Sequence, residues 1–148
     1  MKIRIAQTDD INSLVDFNQK MALETEGKRL DGGTLKSGVE AVFHDEGKGF
    51  YVVTEDTGAI LGGLMVTFEW SDWRNKWFWW IQSVYIVPEA RGKGIYRQMY
   101  DFVKARAKDN GNICGFRLYV EKDNSSAQKV YERVGMESSP YLMYEEHD

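Results

Sequence analysis

The chain has 148 residues, a length that suits one compact domain. With 43% hydrophobic residues it can build a core, which excludes wholesale disorder, and a formal net charge of -4 gives no general attraction to nucleic acid or anionic membrane. Cys114 is the single cysteine, so an intramolecular disulfide is excluded. One cysteine and two histidines in the whole chain do not make a set of zinc ligands, and no metal site is expected.

The ends and the apolar runs of the chain predict no membrane segment. Residues 1–5 alternate charged and apolar side chains and lack the apolar centre of a signal peptide. The longest apolar run, residues 77–81, is far too short to cross a bilayer. Together with the lone cysteine, these features lead us to expect a cytoplasmic protein without a membrane partner.

The first third of the chain predicts one strand and two helices. Residues 2–6 alternate, as a half-buried strand does. Residues 8–10 supply capping side chains for a helix whose apolar pattern stops near Gly27. After a polar loop over residues 28–33, Thr34 is expected to cap a second, short helix.

The remainder predicts four further strands before the tail, two helices, and a last strand at the end. Strand signals over residues 50–54, 60–70 and 77–87 precede a long helix that stops near Gly111. A strand over residues 116–120, a helix capped by Asn124 and a final strand over residues 141–145 complete the chain. The order β-α-α-β-β-β-α-β-α-β predicts an α/β fold with one mixed sheet and helices on its faces, as a single domain over residues 1–148.

The turn between the third central strand and the long helix is typical of a phosphate-binding site. A helix N-terminus carries unpaired N–H groups and partial positive charge, and Gly92 and Gly94 let a phosphate approach while Arg91 and Lys93 add charge. A P-loop is excluded because its Gly-Lys-Ser/Thr ending is absent, and Arg97 occupies the third glycine position of a dinucleotide fingerprint. A tight turn without a ligand is the alternative interpretation.

Two motifs resemble those of the GNAT superfamily of N-acetyltransferases. Residues 84–95 resemble its acetyl-CoA motif, Arg/Gln-x-x-Gly-x-Gly/Ala after a strand ending in Val-x-Pro, with Arg91 and Gly94 matching and Tyr96 replacing the final small residue. Residues 124–136 are similar to its later motif, Asn-x-x-Ala-x-x-x-Tyr-x-x-x-Gly-Phe, with Met136 in place of Phe. The resemblance covers nearly the whole chain.

The resemblance implies an acetyl-CoA-dependent N-acetyltransferase that moves an acetyl group to a primary amine by direct attack in a ternary complex. It implies a GNAT-like, mostly antiparallel sheet with helices on both faces. The Val84 N–H would hold the thioester oxygen as an oxyanion hole, Tyr96 would contribute its backbone only, and Tyr131 would protonate the departing CoA thiolate. The expected cofactor-binding residues are Val84, Tyr85, Ile86, Arg91, Gly92, Lys93, Gly94, Ile95, Tyr96, Asn124, Ser126 and Tyr131.

The general base is harder to assign than the acid. A free alkyl amine, with a pKa of about 10.4, is almost fully protonated at pH 7 and must lose a proton before it attacks. Many relatives carry a carboxylate at the position of Gln82, which cannot act as a base. Glu69 is our first candidate for the base, and Asp72, Glu24, Glu26 or water are the alternatives. Glu69 could instead be an ordinary solvated charge at the end of a strand, without a catalytic role.

The acceptor is expected to be an amine-bearing small molecule or peptide, held by the first two helices and the hairpin over residues 69–80. The candidate acceptor-binding residues are Glu24, Glu26, Trp70, Trp80 and Gln82. Strand alternation places Trp77 and Trp79 on one face and Trp80 and Gln82 on the other.

The sequence leaves open where the tryptophans lie and allows two other functions for the chain. The five tryptophans suit the core, the mouth of the pocket or a homodimer interface, and the sequence does not separate these. A non-catalytic acyl-CoA-binding module and a Trp-rich interaction protein are the alternative functions.

Overall fold

The computed structural model describes all 148 residues, which divide into two compact units, Met1–Leu118 and Tyr119–Asp148. The first unit holds a five-stranded sheet and three helices, and the second holds one helix. No helix combines the length and the apolar character needed to cross a membrane. A single domain over residues 1–148 stays a prediction.

The regular elements follow the predicted order up to the last helix. The strands are β1 (Lys2–Ile5), β2 (Phe50–Asp56), β3 (Ala59–Ser71), β4 (Lys76–Ile86) and β5 (Ile113–Arg117). The helices are α1 (Ile11–Glu26), α2 (Gly32–His44), α3 (Ile95–Asn110) and α4 (Ser125–Arg133). Short 3-10 turns occupy Thr8–Asp10 and Pro88–Ala90.

The sheet is mixed and mostly antiparallel, as expected. Its strands lie in sequence order, β1 to β5, and each neighbouring pair is antiparallel except β4 and β5, which are parallel. Sequential antiparallel strands need only short turns, whereas the parallel pair requires the crossover that α3 supplies. The predicted α/β class is therefore confirmed.

Helices cover both faces of the sheet. On one face, Leu14 of α1 lies against Gly63, where a Cβ would be only 3.2 Å from the leucine Cδ2, and Phe17 packs on Tyr85 with ring centroids 5.2 Å apart. On the other face, Tyr100 of α3 meets Phe116 of β5 edge to face at 5.7 Å. Burial of apolar side chains between these layers stabilises the unit.

The cap of α2 differs from the prediction. Asp31 caps this helix, since its Oδ2 accepts hydrogen bonds from the Thr34 backbone N–H at 2.9 Å and from the Thr34 hydroxyl at 2.7 Å. The helix therefore starts at Gly32, two residues before the predicted cap. A carboxylate at the N-cap position also complements the positive end of the helix, which explains why Asp31 outcompetes Thr34.

The end of the chain departs from the prediction at two points. The strand predicted over residues 116–120 occupies Ile113–Arg117, because that segment pairs with β4. Residues 141–145 do not form the predicted strand. Their run of aromatic and apolar residues is typical of a strand, but a strand also needs a neighbour for its backbone groups, and this segment is not one of the five strands of the sheet. Tyr141 and Leu142 are consequently exposed.

Candidate active site

The parallel β4–β5 pair ends halfway along β4. Its register joins Trp77 to Ile113 and, at the far end, Trp80 to Arg117. β4 continues to Ile86, so its residues 81–86 have no β5 partner. The sequence-predicted residues Val84, Tyr85 and Ile86 all lie in this stretch. A strand edge without a neighbour can accept an extended ligand by backbone hydrogen bonding.

A β-bulge interrupts β4 at the same level. Met65 of β3 lies opposite Gln82 and Gly63 lies opposite Tyr85, so Ser83 and Val84 together face Leu64. Ser83 adopts a left-handed backbone conformation with φ of 54°. Such a bulge bends the strand and re-aims the following backbone groups, and bulges are common beside active sites. The Val84 N–H is therefore in the part of β4 that departs from regular pairing.

The glycine turn after β4 is open at its surface. Gly92 and Gly94 have φ values of 77° and 78°, which an L side chain rarely adopts, and a Cβ at either would meet no atom within 4 Å. Gly94 is the N-cap of α3, whose first-turn N–H groups have no partner within the helix. This combination of exposed backbone and helix N-terminus suits a phosphate group.

Tyr96 leaves that opening clear. Its side chain is 5% exposed and its ring stacks on Tyr100, one helical turn later, at a centroid distance of 6.0 Å. Ile95 is also buried, whereas Lys93 is exposed. The large residue in the family's small-residue position is thus accommodated in the core, not in the turn.

Arg91 joins the glycine turn to the end of α1. Its Nε donates to the Ile86 carbonyl at 2.9 Å, and its Nη2 donates to Glu24 Oε2 at 2.9 Å. The guanidinium also lies 5.4 Å from the centroid of the Tyr85 ring, and the Tyr85 hydroxyl donates to Glu24 Oε1 at 3.3 Å. Glu26, the other predicted acceptor carboxylate on α1, pairs instead with Lys28 at 3.8 Å.

A charged and aromatic group of residues lies nearer the hairpin end of β4, and we call Glu69, Phe78, Trp80 and Arg117 the Glu69 cluster. Glu69 Oε1 accepts hydrogen bonds from Trp80 Nε1 at 2.8 Å and from Arg117 Nη1 at 2.9 Å. The Arg117 guanidinium lies 3.6 Å from the centroid of the Phe78 ring, a cation–π contact. Gln82, one step further along this face, donates to the Thr67 hydroxyl at 2.6 Å.

Arg117 is a further candidate site residue that the sequence did not indicate. It lies opposite Trp80 in the β4–β5 register, so its side chain shares a face with the tryptophan. A charged residue inside a strand that runs beside β4 is the signal that could have identified it. The strand predicted over residues 116–120 has no neighbour that the sequence identifies, so the sequence alone indicates no partner for Arg117.

Trp70 lies apart from the other predicted acceptor residues. It pairs with Trp77 edge to face at 4.9 Å, and Trp79 packs on Phe50 at 5.3 Å, on the face opposite Trp80 and Gln82. The predicted alternation of the β4 tryptophans is confirmed by these contacts. The structure therefore does not bring Trp70 together with Trp80 and Gln82, and a role of Trp70 in acceptor binding stays a prediction.

The second unit carries three of the predicted cofactor residues. Asn124 caps α4, with its Oδ1 accepting from the Ala127 N–H at 3.1 Å and from the Ser126 hydroxyl at 3.3 Å. Tyr131 lies on α4 and is partly buried. Burial raises the pKa of the Tyr131 hydroxyl above its ordinary value, so this group keeps its proton at neutral pH.

Comparison with known proteins identifies relatives of the whole chain. The model of the Acetyltransferase (GNAT) family matches residues 15–136. An uncharacterized N-acetyltransferase, YhfO of Bacillus subtilis, is 28% identical over 93% of this chain and 90% of its own length. A mycothiol acetyltransferase of Mycolicibacterium gilvum is 31% identical over 60% of this chain, which spans only 29% of that relative.

Solved structures show the same fold. The structure of a possible acetyltransferase from Clostridium difficile 630 is 44% identical and superposes with a TM-score of 0.92, covering 99% of this chain and 97% of the other. A predicted acetyltransferase from Clostridium acetobutylicum, solved with acetyl-CoA, is 21% identical with a TM-score of 0.81 and coverages of 98% and 95%. The second likeness concerns the fold alone.

Proposed function

Because this chain belongs to the acetyltransferase (GNAT) family, we propose that it is an acetyl-CoA-dependent N-acetyltransferase acting on a primary amine. The observation that carries this proposal is the position of the open glycine turn. It follows β4 after the short 3-10 turn Pro88–Ala90, and β4 is the strand whose residues 81–86 have no β5 partner. A turn suited to phosphate and an open strand edge thus lie close together in the chain, as acetyl-CoA requires, because its extended pantetheine arm is joined directly to its diphosphate.

The residues of the turn and of β4 fit acetyl-CoA. We assign the diphosphate to the first-turn N–H groups of α3 and to Arg91, and the pantetheine arm to the backbone of Val84 and Ile86. When bound, acetyl-CoA supplies the activated acetyl group. The space at the Gly92 Cβ position is open, and a larger side chain there would occupy the space through which the diphosphate approaches the backbone.

Transfer requires one oxyanion donor and one acid from this chain. The amine nitrogen forms the new C–N bond at the thioester carbon, and the Val84 N–H holds the oxygen that becomes negative. The C–S bond then breaks and the departing thiolate takes up a proton. The resemblance of residues 124–136 to the family motif assigns delivery of this proton to Tyr131, which regains one from water. The Tyr131 hydroxyl carries its proton at neutral pH, as a general acid must.

We assign the acceptor amine to the face that carries the Glu69 cluster. Both Glu69 oxygens already accept from Arg117, and Oε1 also accepts from Trp80. The Oε2 contact with Arg117, at 3.2 Å, leaves a lone pair of that oxygen for a further donor such as an ammonium group. We therefore propose that it orients the acceptor's ammonium group and that the proton departs through water, because Gln82 cannot accept it.

The proposal is tested by calorimetric titration with acetyl-CoA followed by free-thiol release across a panel of primary amines. We expect binding, thiol release with some amines, and an acetylated amine by mass spectrometry. Arg91→Ala should weaken acetyl-CoA binding by about 1.5–3 kcal/mol, as loss of a charge-assisted hydrogen bond does. Binding without thiol release would indicate a non-catalytic acyl-CoA module, and absence of binding would indicate an interaction protein.

A further inference from the structure

Glu24 and Arg91 come from distant parts of the chain and meet at the edge of the proposed cofactor turn. Glu24 lies in the last turn of α1, and Arg91 precedes the two glycines. Their atoms Oε2 and Nη2 are 2.9 Å apart, while the other Glu24 oxygen accepts from the Tyr85 hydroxyl. The residue assigned to the diphosphate thus already has a negatively charged partner.

We propose that Glu24 and the diphosphate of acetyl-CoA exchange places on Arg91, so that Glu24 is a positioning residue for the cofactor turn. This inference rests on the proposed function. The Nε bond to the Ile86 carbonyl keeps the guanidinium at the end of β4, and only the Nη2 contact has to change partner. A guanidinium has five N–H donors in a planar fork, so one donor can be retained while another is exchanged.

The exchange is favourable because the pair is exposed and the diphosphate gains additional contacts. The side chains of Arg91 and Glu24 are 47% and 42% exposed, and such ion pairs are screened and weak. A diphosphate in this turn would contact the N-terminus of α3 as well as Arg91. Glu24 forms an ion pair with Arg91 only.

The exchange has a consequence on the acceptor side. Glu24 remains held by the Tyr85 hydroxyl, and the Tyr85 ring packs on Phe17 of the same helix at 5.2 Å. A carboxylate released from Arg91 therefore stays at the end of α1 with one oxygen available. Because it is negatively charged, it then attracts a cation such as the ammonium group of the acceptor.

The test compares acetyl-CoA affinity in matched carboxylate variants. Glu24→Gln removes the competitor for Arg91, so acetyl-CoA should bind about two- to five-fold tighter, the range set by the weak interaction of an exposed pair. Asp16→Asn is the control, since Asp16 lies on the same helix and its pair with Lys20, at 2.7 Å, is also exposed. This control should bind acetyl-CoA as the wild type does.

A double-mutant cycle shows whether the effect passes through Arg91. In an Arg91→Ala background, Glu24→Gln should leave acetyl-CoA affinity unchanged, because the shared partner is absent. Unchanged or weaker binding by Glu24→Gln alone, or a gain in affinity that persists without Arg91, would overturn the inference while leaving the proposed function intact. Failure of the wild-type protein to bind acetyl-CoA would overturn both.

Discussion

Arg117 of β5 and Glu69 of β3 form an ion pair across the intervening strand β4, with Arg117 Nη1 at 2.9 Å and 3.2 Å from the two carboxylate oxygens. Trp80 of β4 donates to the same carboxylate from between them. Three adjacent strands thus fix one negative charge on the face of the sheet that carries Gln82. A carboxylate held this firmly is suited to orienting a cationic acceptor.

Glu69→Gln should impair use of the acceptor and leave use of acetyl-CoA unaltered. The amide keeps the shape but loses the charge that attracts an ammonium group, so the KM for the amine should rise about tenfold or more, as loss of a charge-assisted contact predicts. Steady-state thiol release measures the KM, and calorimetry measures acetyl-CoA binding. Glu46→Gln, in the turn after α2, is the control. An unchanged KM would remove Glu69 from the acceptor site.

Tyr131→Phe should slow turnover without weakening acetyl-CoA binding. A tyrosine hydroxyl is protonated at neutral pH because its ordinary pKa is about 10, and burial raises the pKa of Tyr131 further. The hydroxyl therefore has a proton to donate. Loss of a general acid lowers kcat by about 10²-fold or more. Tyr144→Phe, at an 89% exposed position, is the matched control for kcat and for affinity. A loss of affinity with unchanged kcat would identify Tyr131 as a packing residue.

Gly115→Ala should destabilise the fold through Phe78. A Cβ at Gly115 would lie 2.8 Å from Cε1 of the Phe78 ring, and this ring also carries the Arg117 guanidinium. Overpacking of this kind costs about 1–3 kcal/mol in the free energy of unfolding, measured by urea denaturation. Gly38→Ala in α2, where a Cβ meets nothing within 4 Å, should instead add about 0.5–1 kcal/mol. Equal effects of the two changes would contradict this packing account.

The Arg4–Asp10 pair should govern acid stability of the first unit. Arg4 donates to both Asp10 oxygens, at 2.7 Å and 3.0 Å, and Asp10 is only 5% exposed. Burial opposes ionisation of Asp10, but the hydrogen bonds from Arg4 and from the Gln7 backbone outweigh it and lower the pKa of this carboxyl. Its contribution is therefore present above the unfolded pKa of about 3.9 and is lost as the pH falls through the folded value.

Asp10→Asn tests that sign. At pH 7 it should lower the free energy of unfolding by about 1.5–3 kcal/mol, the range for hydrogen bonds to a charged group, because Arg4 keeps Glu55 but loses the carboxylate of Asp10. As the pH falls below about 3.9 the difference from wild type should shrink, and it should be smallest below the lowered folded pKa, where Asp10 is protonated in both states of the wild type. Thermal unfolding of both proteins between pH 7 and pH 2 measures this difference in stability. A difference that stays constant down to pH 2 would show that the ion pair is not its cause.

The sequence predicted the elements whose signals are local. Gly27 and Gly111 end α1 and α3 in left-handed conformations, as their positions after apolar periodicity indicated. The turn before α3 was likewise predicted, because its glycines and cations are consecutive in the chain. The alternation of Trp79 and Trp80 between the two faces followed from strand geometry alone.

Features that depend on pairing between distant segments were beyond the sequence. The bulge at Ser83 arises from the register of β4 against β3, and the position of β5 arises from its register against β4. The ion pair of Arg117 with Glu69 and that of Arg91 with Glu24 join residues that are 48 and 67 positions apart. No local pattern specifies such contacts, and in the tail a run of apolar residues predicted a strand that does not form.

The most direct test of the account is to map acetyl-CoA binding on the backbone amides by ¹H–¹⁵N correlation spectroscopy. We expect the largest chemical-shift changes at the amides of Val84 and Ile86 and in the first turn of α3, residues 95–97. In Arg91→Ala the chemical-shift changes in the turn should be smaller. Shifts confined to the Trp70–Trp77 face of the sheet, or no shifts with saturating acetyl-CoA, would contradict it.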